Sequence, residues 1–427
     1  KQARTGEGQI VLVSGEAGIG KSRIAAALQE RLQAERPIRL RYFCSPNRRN
    51  SALFPIIAEL ERAAGFGRHD TPAAKRDKLS ALLSKSGTVG SDVEAAFADL
   101  LAVPAGDGAP SLPGSPREKR ERILSALVRR LEDLARQQPM LLLFEDAHWS
   151  DSTSLDLLER FAERVRQLPV LMVATFRPEF DPVWIGQAQV TSVILGRLGE
   201  RETMRLAGGV AGGKSLPGEI LARIIEHTDG IPLCVEELTK ALLESNFLQD
   251  VSGQFILSGP MPSLAIPSSL HDSLMARLDR LGPVKEVAQI GAAIGREFTY
   301  DILKAVTNRP DDRLGAELDQ LVDAGLIFRR GGLQQTSFVF KHALVQDAAY
   351  GTLLRGRRQE LHAGIAKALE ELVGPLPKQD ASVGERSALL AHHWIRAEAW
   401  EKALAYTLEA AERARDLFAR PEAVDHY

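Results

Sequence analysis

The sequence predicts an α/β core, a parallel sheet covered by helices, followed by a largely helical remainder. Short β-rich runs at Ile10–Ser14, Ile38–Phe43, Met140–Glu145 and Val170–Thr175 alternate with helix-forming stretches. A glycine-rich turn closes the first run and opens a helix, and the apolar run Met140–Phe144 ends in two carboxylates. At 427 residues the chain has the length of about three domains. Its 44% hydrophobic content excludes global disorder. Lys+Arg 54 against Asp+Glu 56 argues against a surface coated for nucleic acid. Cys44 and Cys234 are too few for a disulfide framework or a four-ligand zinc site, which fits a reducing compartment and a cytoplasmic location. Apolar stretches such as Val170–Val173 fall far short of the ~20 residues of a membrane helix. No signal-peptide pattern is present. The chain opens at Lys1 rather than Met and stops at Tyr427 inside a helical pattern, so it reads as a piece of something longer.

The predicted organisation has four parts: an α/β core at 1–196, a helical lid at 197–262, a winged helix at 263–345 and a helical tail at 346–427. Within the core, helices inserted at about 51–102 are separated from a helix at 117–137 by the Pro- and Gly-rich stretch Val103–Pro116. In the lid, Gly230-Ile231-Pro232 punctuates two helices. Leu270, Leu274, Leu278 and Leu281 then stripe one helix face after Pro267. Gly331–Gly332 joins two β-like runs, Leu326–Arg330 and Thr336–Phe340, and helices followed by a hairpin give a winged-helix outline.

Gly15-Glu16-Ala17-Gly18-Ile19-Gly20-Lys21-Ser22 matches the phosphate-binding pattern G-x-x-x-x-G-K-[ST]. Consecutive backbone N–H groups must wrap a polyphosphate, so glycine is needed where a Cβ would collide or φ must be positive. Lys21 would set its charge on the β/γ oxygens, Ser22 would offer a hydroxyl to Mg²⁺, and the following helix adds its N-terminal dipole. The same pattern recurs at Gly208–Ser215. Context separates the two. The first copy follows the apolar strand Ile10–Val13 and precedes the helix former Ser22–Gln33. The second follows a polar helical segment and runs into Leu216-Pro217, so it reads as a glycine-rich turn.

Five apolar residues leading into Glu145-Asp146 form the acidic strand end that such sheets use for the Mg²⁺ shell and for polarising water, on the strand neighbouring the loop. Which of the two faces metal and which faces water stays open. His148-Trp149-Ser150-Asp151 follows, with Asp151 or Ser152 a natural N-cap for the helix Thr153–Arg166. Thr175 and Arg177, at the end of the next strand, place a hydroxyl and a guanidinium where parallel sheets hold their ligands, and Arg177 could read a γ-phosphate.

Together the loop, Leu141–Asp151 and Ala174-Thr-Phe-Arg-Pro-Glu179 resemble the AAA-type ATPase module of the signal-transducing STAND class, as found in large bacterial regulators and fused to class III adenylate/guanylate cyclases. Gly230-Ile-Pro-Leu233 with Glu236-Glu-Leu238 is similar to the family's G-x-P element, and Phe338–Val345 to its winged-helix segment. The resemblance implies a P-loop core binding ATP or ADP with Mg²⁺, Pro232 touching the adenine and His342 approaching the phosphates. The cofactor contacts it implies are Gly15, Glu16, Ala17, Gly18, Ile19, Gly20, Lys21, Ser22, Arg23, Thr175, Pro232 and His342. The metal set is Ser22, Glu145 and Asp146, and Glu145, Asp146 and Arg177 are the catalytic candidates. The carboxylate order, Glu before Asp, departs from the usual one. The tail from Leu389 through Trp394, Trp400, Leu404, Leu408 and Ala411 resembles the start of a tetratricopeptide-like array.

The expected activity is slow ATP hydrolysis in a signalling switch that regulates a fused or partner effector, a cyclase or a transcriptional output. Partners would be a protein effector reached through the tail and, depending on nucleotide, a second copy of the chain; DNA and membrane are not expected. Two alternatives are a DNA-binding regulator using the winged helix and a nucleotide-binding scaffold without turnover. His362, His392 and His393 read as helix-packing residues. Arg355, Arg357 and Arg358 read as a solvated face, and both cysteines as buried small hydrophobes.

Overall fold

The computed structural model describes residues 2–424 apart from 68–69, 89, 104–111, 183, 245–247, 252, 259–269, 308, 331–335, 374–381, 417–418 and 420–421. Most of the predicted Pro- and Gly-rich stretch, Pro267 and the Gly331–Gly332 turn therefore lie outside the described residues. The chain divides into two compact units: Lys1–Ser14, Ser22–Ile194 and Leu369–Tyr427 form the first, and Gly15–Lys21 with Leu195–Ala368 the second.

The first unit is built on β1 (Gln9–Ser14), β2 (Ile38–Phe43), β3 (Met140–Glu145), β4 (Val170–Phe176) and β5 (Val190–Ile194), all parallel in the order β2-β3-β4-β1-β5. Two points differ from the sequence reading. The strand hydrogen-bonded to β1 is β4, so the acidic strand β3 lies one position further out rather than beside the loop's own strand. The fifth strand, Val-Thr-Ser-Val-Ile, was not expected, and the reason is physical. It is an edge strand exposed from Thr191 to Ile194, so it lacks the apolar run that marks a buried parallel strand.

Helix α1 (Lys21–Arg31) follows β1. The inserted helices are α2 (Phe54–Ala64), α3 (Pro72–Lys85) and α4 (Ser91–Leu100), and α5 (Pro116–Gln137) leads into β3. Ser115 and Glu118 close a reciprocal capping box at the start of α5, with Pro116 in its first turn. Period-2 alternation sorts the central strands. Ile10, Leu12, Met140, Leu142, Phe144, Met172 and Ala174 join one buried cluster with Ile56, Leu60, Leu124, Leu127, Leu158 and Phe161. Each of the larger ones contributes about 1.5–3 kcal/mol by leaving water. Leu141, Leu143 and Glu145 alternate onto the opposite face. The helix after β3 is α6 (Ser152–Val165).

In the second unit α7 (Glu200–Val210), α8 (Gly218–Thr228) and α9 (Pro232–Leu243) pack through Ala207, Ile220, Ile224, Val235, Leu238 and Leu242, beside the antiparallel pair β6 (Leu248–Val251) and β7 (Gln254–Leu257). Next come α10 (Leu270–Arg280), α11 (Val284–Ile294), β8 (Glu297–Thr299), α12 (Tyr300–Thr307), α13 (Asp311–Asp323), β9 (Ile327–Arg330) and β10 (Ser337–Phe340). The last strands form an antiparallel sheet, β8-β10-β9, carrying the buried rings of Phe298, Phe338 and Phe340. Leu274 and Leu278 of the predicted stripe are buried. Helices α14 (Ala343–Gly351) and α15 (Arg355–Val373) follow.

The tail is the packed pair α16 (Ser382–Arg396) and α17 (Trp400–Asp416). The Trp394 indole and the Tyr406 hydroxyl both donate to Oε1 of Glu370, at 3.0 and 2.9 Å. The fold is thus a P-loop-type parallel sheet with a helical C-terminal region. Among the described residues, no helix is long and apolar enough to cross a membrane.

Candidate nucleotide site

The loop from Gly15 to Lys21 connects β1 to α1, with φ of +79° at Gly18 and +104° at Gly20, where a side chain would be strained. Lys21 is buried, and its ammonium donates to the carbonyls of Gly15 at 2.7 Å and Glu16 at 2.9 Å. The cation is therefore already folded back over the loop it serves. Ser22 is half-buried in the first turn of α1. Arg23, one of the expected contacts, is exposed and lies 3.6 Å from Glu30 on its own helix.

Within the second unit, the turn before α9 lies directly against this loop. The Leu233 N–H donates to the Gly18 carbonyl at 3.2 Å, and a Cβ on Gly18 would stand 3.1 Å from that of Leu233. Pro232 occupies the first turn of α9, where its missing N–H costs nothing. Gly230 is held at φ +68°, and a Cβ there would reach 2.2 Å from the Leu198 carbonyl oxygen. Arg197 spans the same surface: one guanidinium nitrogen donates to both carboxylate oxygens of Glu16 at 3.1 and 3.0 Å, and the other to Asp229. Exposed pairs of this kind contribute about 0–1 kcal/mol each, so their effect is on loop geometry more than stability.

In the first unit, Glu145 is buried at the end of β3. Its Oε1 accepts from Nε of Arg41 at 2.5 Å, while its Oε2 is buried with no hydrogen-bond partner. Asp146 next to it is half-buried in the left-handed region at φ 59°, and its N–H donates to the Thr175 hydroxyl at 3.1 Å. The chain then turns through Ala147–Trp149, with the His148 and Trp149 rings 4.4 Å apart. The Arg177 guanidinium lies over the Trp149 ring at 5.2 Å. Glu145, Asp146, Thr175 and Arg177 are thus gathered at the C-terminal ends of β3 and β4. The two acids are not equivalent. Glu145 is sequestered with an arginine, while Asp146 is half-buried with its backbone fixed.

Asp151 is the N-cap of α6, as expected. It accepts from the Leu53 and Ser154 N–H groups and from the Ser154 hydroxyl, and burial pushes its carboxyl up to about 7. His342 stands at the N-cap position of α14, yet its side chain makes no capping bond and its Nε2 is buried without a partner. Burial, reinforced by Lys341, pulls the imidazole down to about 4, so the ring is neutral at pH 7.

The second glycine-rich copy has a different build. Gly208 and Gly209 belong to α7, and Gly212 and Gly213 make a left-handed turn after it. Lys214 pairs with Asp250 and lies 5.6 Å over the Phe255 ring. Among the described residues, no group of three or more His, Cys, Asp or Glu side chains is placed to hold a metal ion. Cys44 is buried and Cys234 half-buried.

Sequence reasoning missed Arg41, Arg197 and the role of Trp149. For Arg41 a signal exists: Ile38-Arg-Leu-Arg-Tyr42 alternates, which puts both arginines on one face of a strand in a mostly buried sheet. For Arg197 no local pattern points to Glu16.

Residues 1–173 match the family of AAA ATPase domains. This part of the chain is similar to ATPase domains of that family. An uncharacterized protein of Rhizobium meliloti is 30% identical over 431 residues, a match covering 98% of this chain and 40% of that protein. The chain therefore spans two fifths of that relative's length. Among solved structures, a STAND ATPase with a tetratricopeptide-repeat sensor from Pyrococcus horikoshii aligns over 100% of this chain and 56% of its own, at 15% identity and a TM-score of 0.48. The Cdc6p protein of Pyrobaculum aerophilum aligns over 87% and 91%, at 14% identity and a TM-score of 0.33. The fold assignment rests on strand order and loop placement, not on these distant matches.

Proposed function

We propose that this chain is an ATP-binding, slowly hydrolysing switch that regulates a fused or partner effector. The observation that carries the reading is the seating of the phosphate loop: Gly18 is bonded to Leu233, and Glu16 is tied to Arg197. A ligand that rearranges the loop acts directly on the start of α9, and a ligand shifts a conformational equilibrium by its differential contacts with the two states. The resemblance would assign the phosphates to Lys21, Ser22 and the loop amides, the adenine to Pro232, and the reading of the nucleotide state to Arg177 and the neutral His342.

The donor set fits Mg²⁺. A hydroxyl at Ser22 and carboxylates at Glu145 and Asp146 are the hard oxygens that Mg²⁺ selects, and the unpartnered Oε2 of Glu145 is a buried acceptor awaiting a donor or cation. Bound there, Mg²⁺ would neutralise charge on the β/γ phosphates. Glu145 is oriented by Arg41, and Asp146 by Thr175. The effector, a cyclase or a transcriptional output, is engaged through the helical tail, and the nucleotide state governs self-association.

The test separates the two acids. Glu145→Gln is expected to weaken Mg²⁺-dependent ATP binding about tenfold. Asp146→Asn should leave affinity intact and slow turnover about tenfold or more, since it acts mainly in the transition state. Fluorescent-ATP titration with and without Mg²⁺, paired with phosphate release, reads both effects. Wild-type turnover in both variants would overturn the strand-end assignment.

A further inference from the structure

The tail contributes a carboxylate to the start of α6. Glu422, 2% exposed, turns its Oε1 onto three donors: the Ser152 hydroxyl at 2.8 Å, the Thr153 N–H at 3.0 Å and the Thr153 hydroxyl at 3.2 Å. Those are the first residues of the helix whose N-cap is Asp151. Around this contact Ala419 and Ala423 bury against Ala414 and Ala52, and Arg413 of α17 donates to the Asp99 carbonyl near the end of α4 at 3.2 Å. All of these residues lie in the first unit.

The contact is specific and also finely balanced. A helix N-terminus favours an anion, and three donors to one oxygen satisfy part of a buried carboxylate. Against this, Oε2 of Glu422 is buried with no partner, and Asp151 stands at the same helix end as a second buried carboxylate. Burying a half-satisfied carboxylate beside another is costly, so the alanine packing and Arg413 must offset it. An attachment with such opposed terms releases under a small load. It also sits close to the site in sequence, because α6 begins directly after the turn that carries Asp146, Trp149 and Asp151.

We propose that Glu422, with Ala419 and Ala423 packed beside it, is a releasable latch that fastens the helical tail to the first turn of α6 and thereby couples tail position to the strand-end segment 145–151. Docked, the latch holds the first turn of α6 in place. Undocked, it returns the Ser152 and Thr153 donors to water and loosens the segment that carries Asp146 and Trp149. The coupling to turnover rests on the ATPase reading above; the latch itself does not.

Hydrogen exchange on the full chain tests both parts. Glu422→Ala should speed exchange of the amides at 153–155 and of the peptide 410–424 about tenfold, leaving α2–α5 and all of the second unit unchanged. Glu422→Gln keeps an acceptor oxygen and should shift them less than about threefold. Thr153→Val, made from the receiving side, should reproduce the Glu422→Ala pattern more weakly and keeps the test open if Glu422→Ala folds poorly. Unchanged exchange at 153–155, or a uniform rise across the first unit, overturns the latch. Phosphate release should change at least threefold in Glu422→Ala and stay near wild type in Glu422→Gln. A local exchange change without any turnover change overturns the coupling and leaves the tail a passive anchor. A wild-type chain that binds no ATP overturns the ATPase reading, while the exchange result still decides the latch.

Discussion

Gly15–Ser22 and Gly208–Ser215 carry one pattern and become unlike objects. The first leaves a buried strand and enters a helix, its lysine buried over its own carbonyls. The second begins inside a helix, bends through two left-handed glycines, and leaves its lysine paired with Asp250 at the surface. The glycines serve backbone conformation in both cases. Only the first lies between a strand and the start of a helix, the setting in which backbone N–H groups and a helix dipole can serve an anion. Four apolar residues upstream therefore distinguish the two more surely than the motif does.

The comparison breaks most readily on the lysines. Lys21→Ala should cost at least a hundredfold in ATP affinity, about 3 kcal/mol, because it removes a buried cation from charge-assisted contact with phosphate. Lys214→Ala should leave affinity unchanged. Fluorescent-ATP titration of both variants decides it, and equal losses would sink the distinction. The glycines sharpen the contrast. Gly18→Ala and Gly213→Ala each place a side chain at φ near +80°, costing about 1–2 kcal/mol in either loop. Gly213 has nothing within 4 Å of the added carbon, whereas at Gly18 it presses on Leu233. Gly18→Ala should thus weaken ATP binding about tenfold beyond its effect on melting, and Gly213→Ala should lower melting alone. Binding by Gly18→Ala at wild-type strength would show that the turn before α9 does not shape the loop. The smallest effect belongs to the surface pair: Lys214→Ala and Asp250→Ala should each shift melting by less than about 3 °C, an exposed ion pair contributing under about 1 kcal/mol. A larger loss from either would give the second loop a structural role it lacks here.

Strands β1, β3 and β4 were legible as mostly apolar runs, and β2 because apolar residues alternate with Arg39 and Arg41; the acids at 145–146 stand where one such run ends. β5 was not, since an exposed edge writes no hydrophobic signal. The site divides the same way. Local features came through: the strand-to-helix turn of the loop and the Asp151 cap. What joins distant segments did not, because nothing in Arg41, Arg197 or Glu422 names a partner far along the chain. His342 shows the limit within a single turn: it stands at the N-cap position of α14, yet its side chain makes no capping bond.

The seating of the phosphate loop bears on how such a module is inherited. The stretch recognisable by kinship ends at residue 173, whereas the groups that wall the loop in, Leu195, Arg197 and Leu233, come later. A recombination event that copied only the recognisable stretch would transmit the glycine-rich pattern without the surroundings that give it its form. The heritable part of this machine is longer than its signature, and exchange between proteins has to carry the helices along with the sheet.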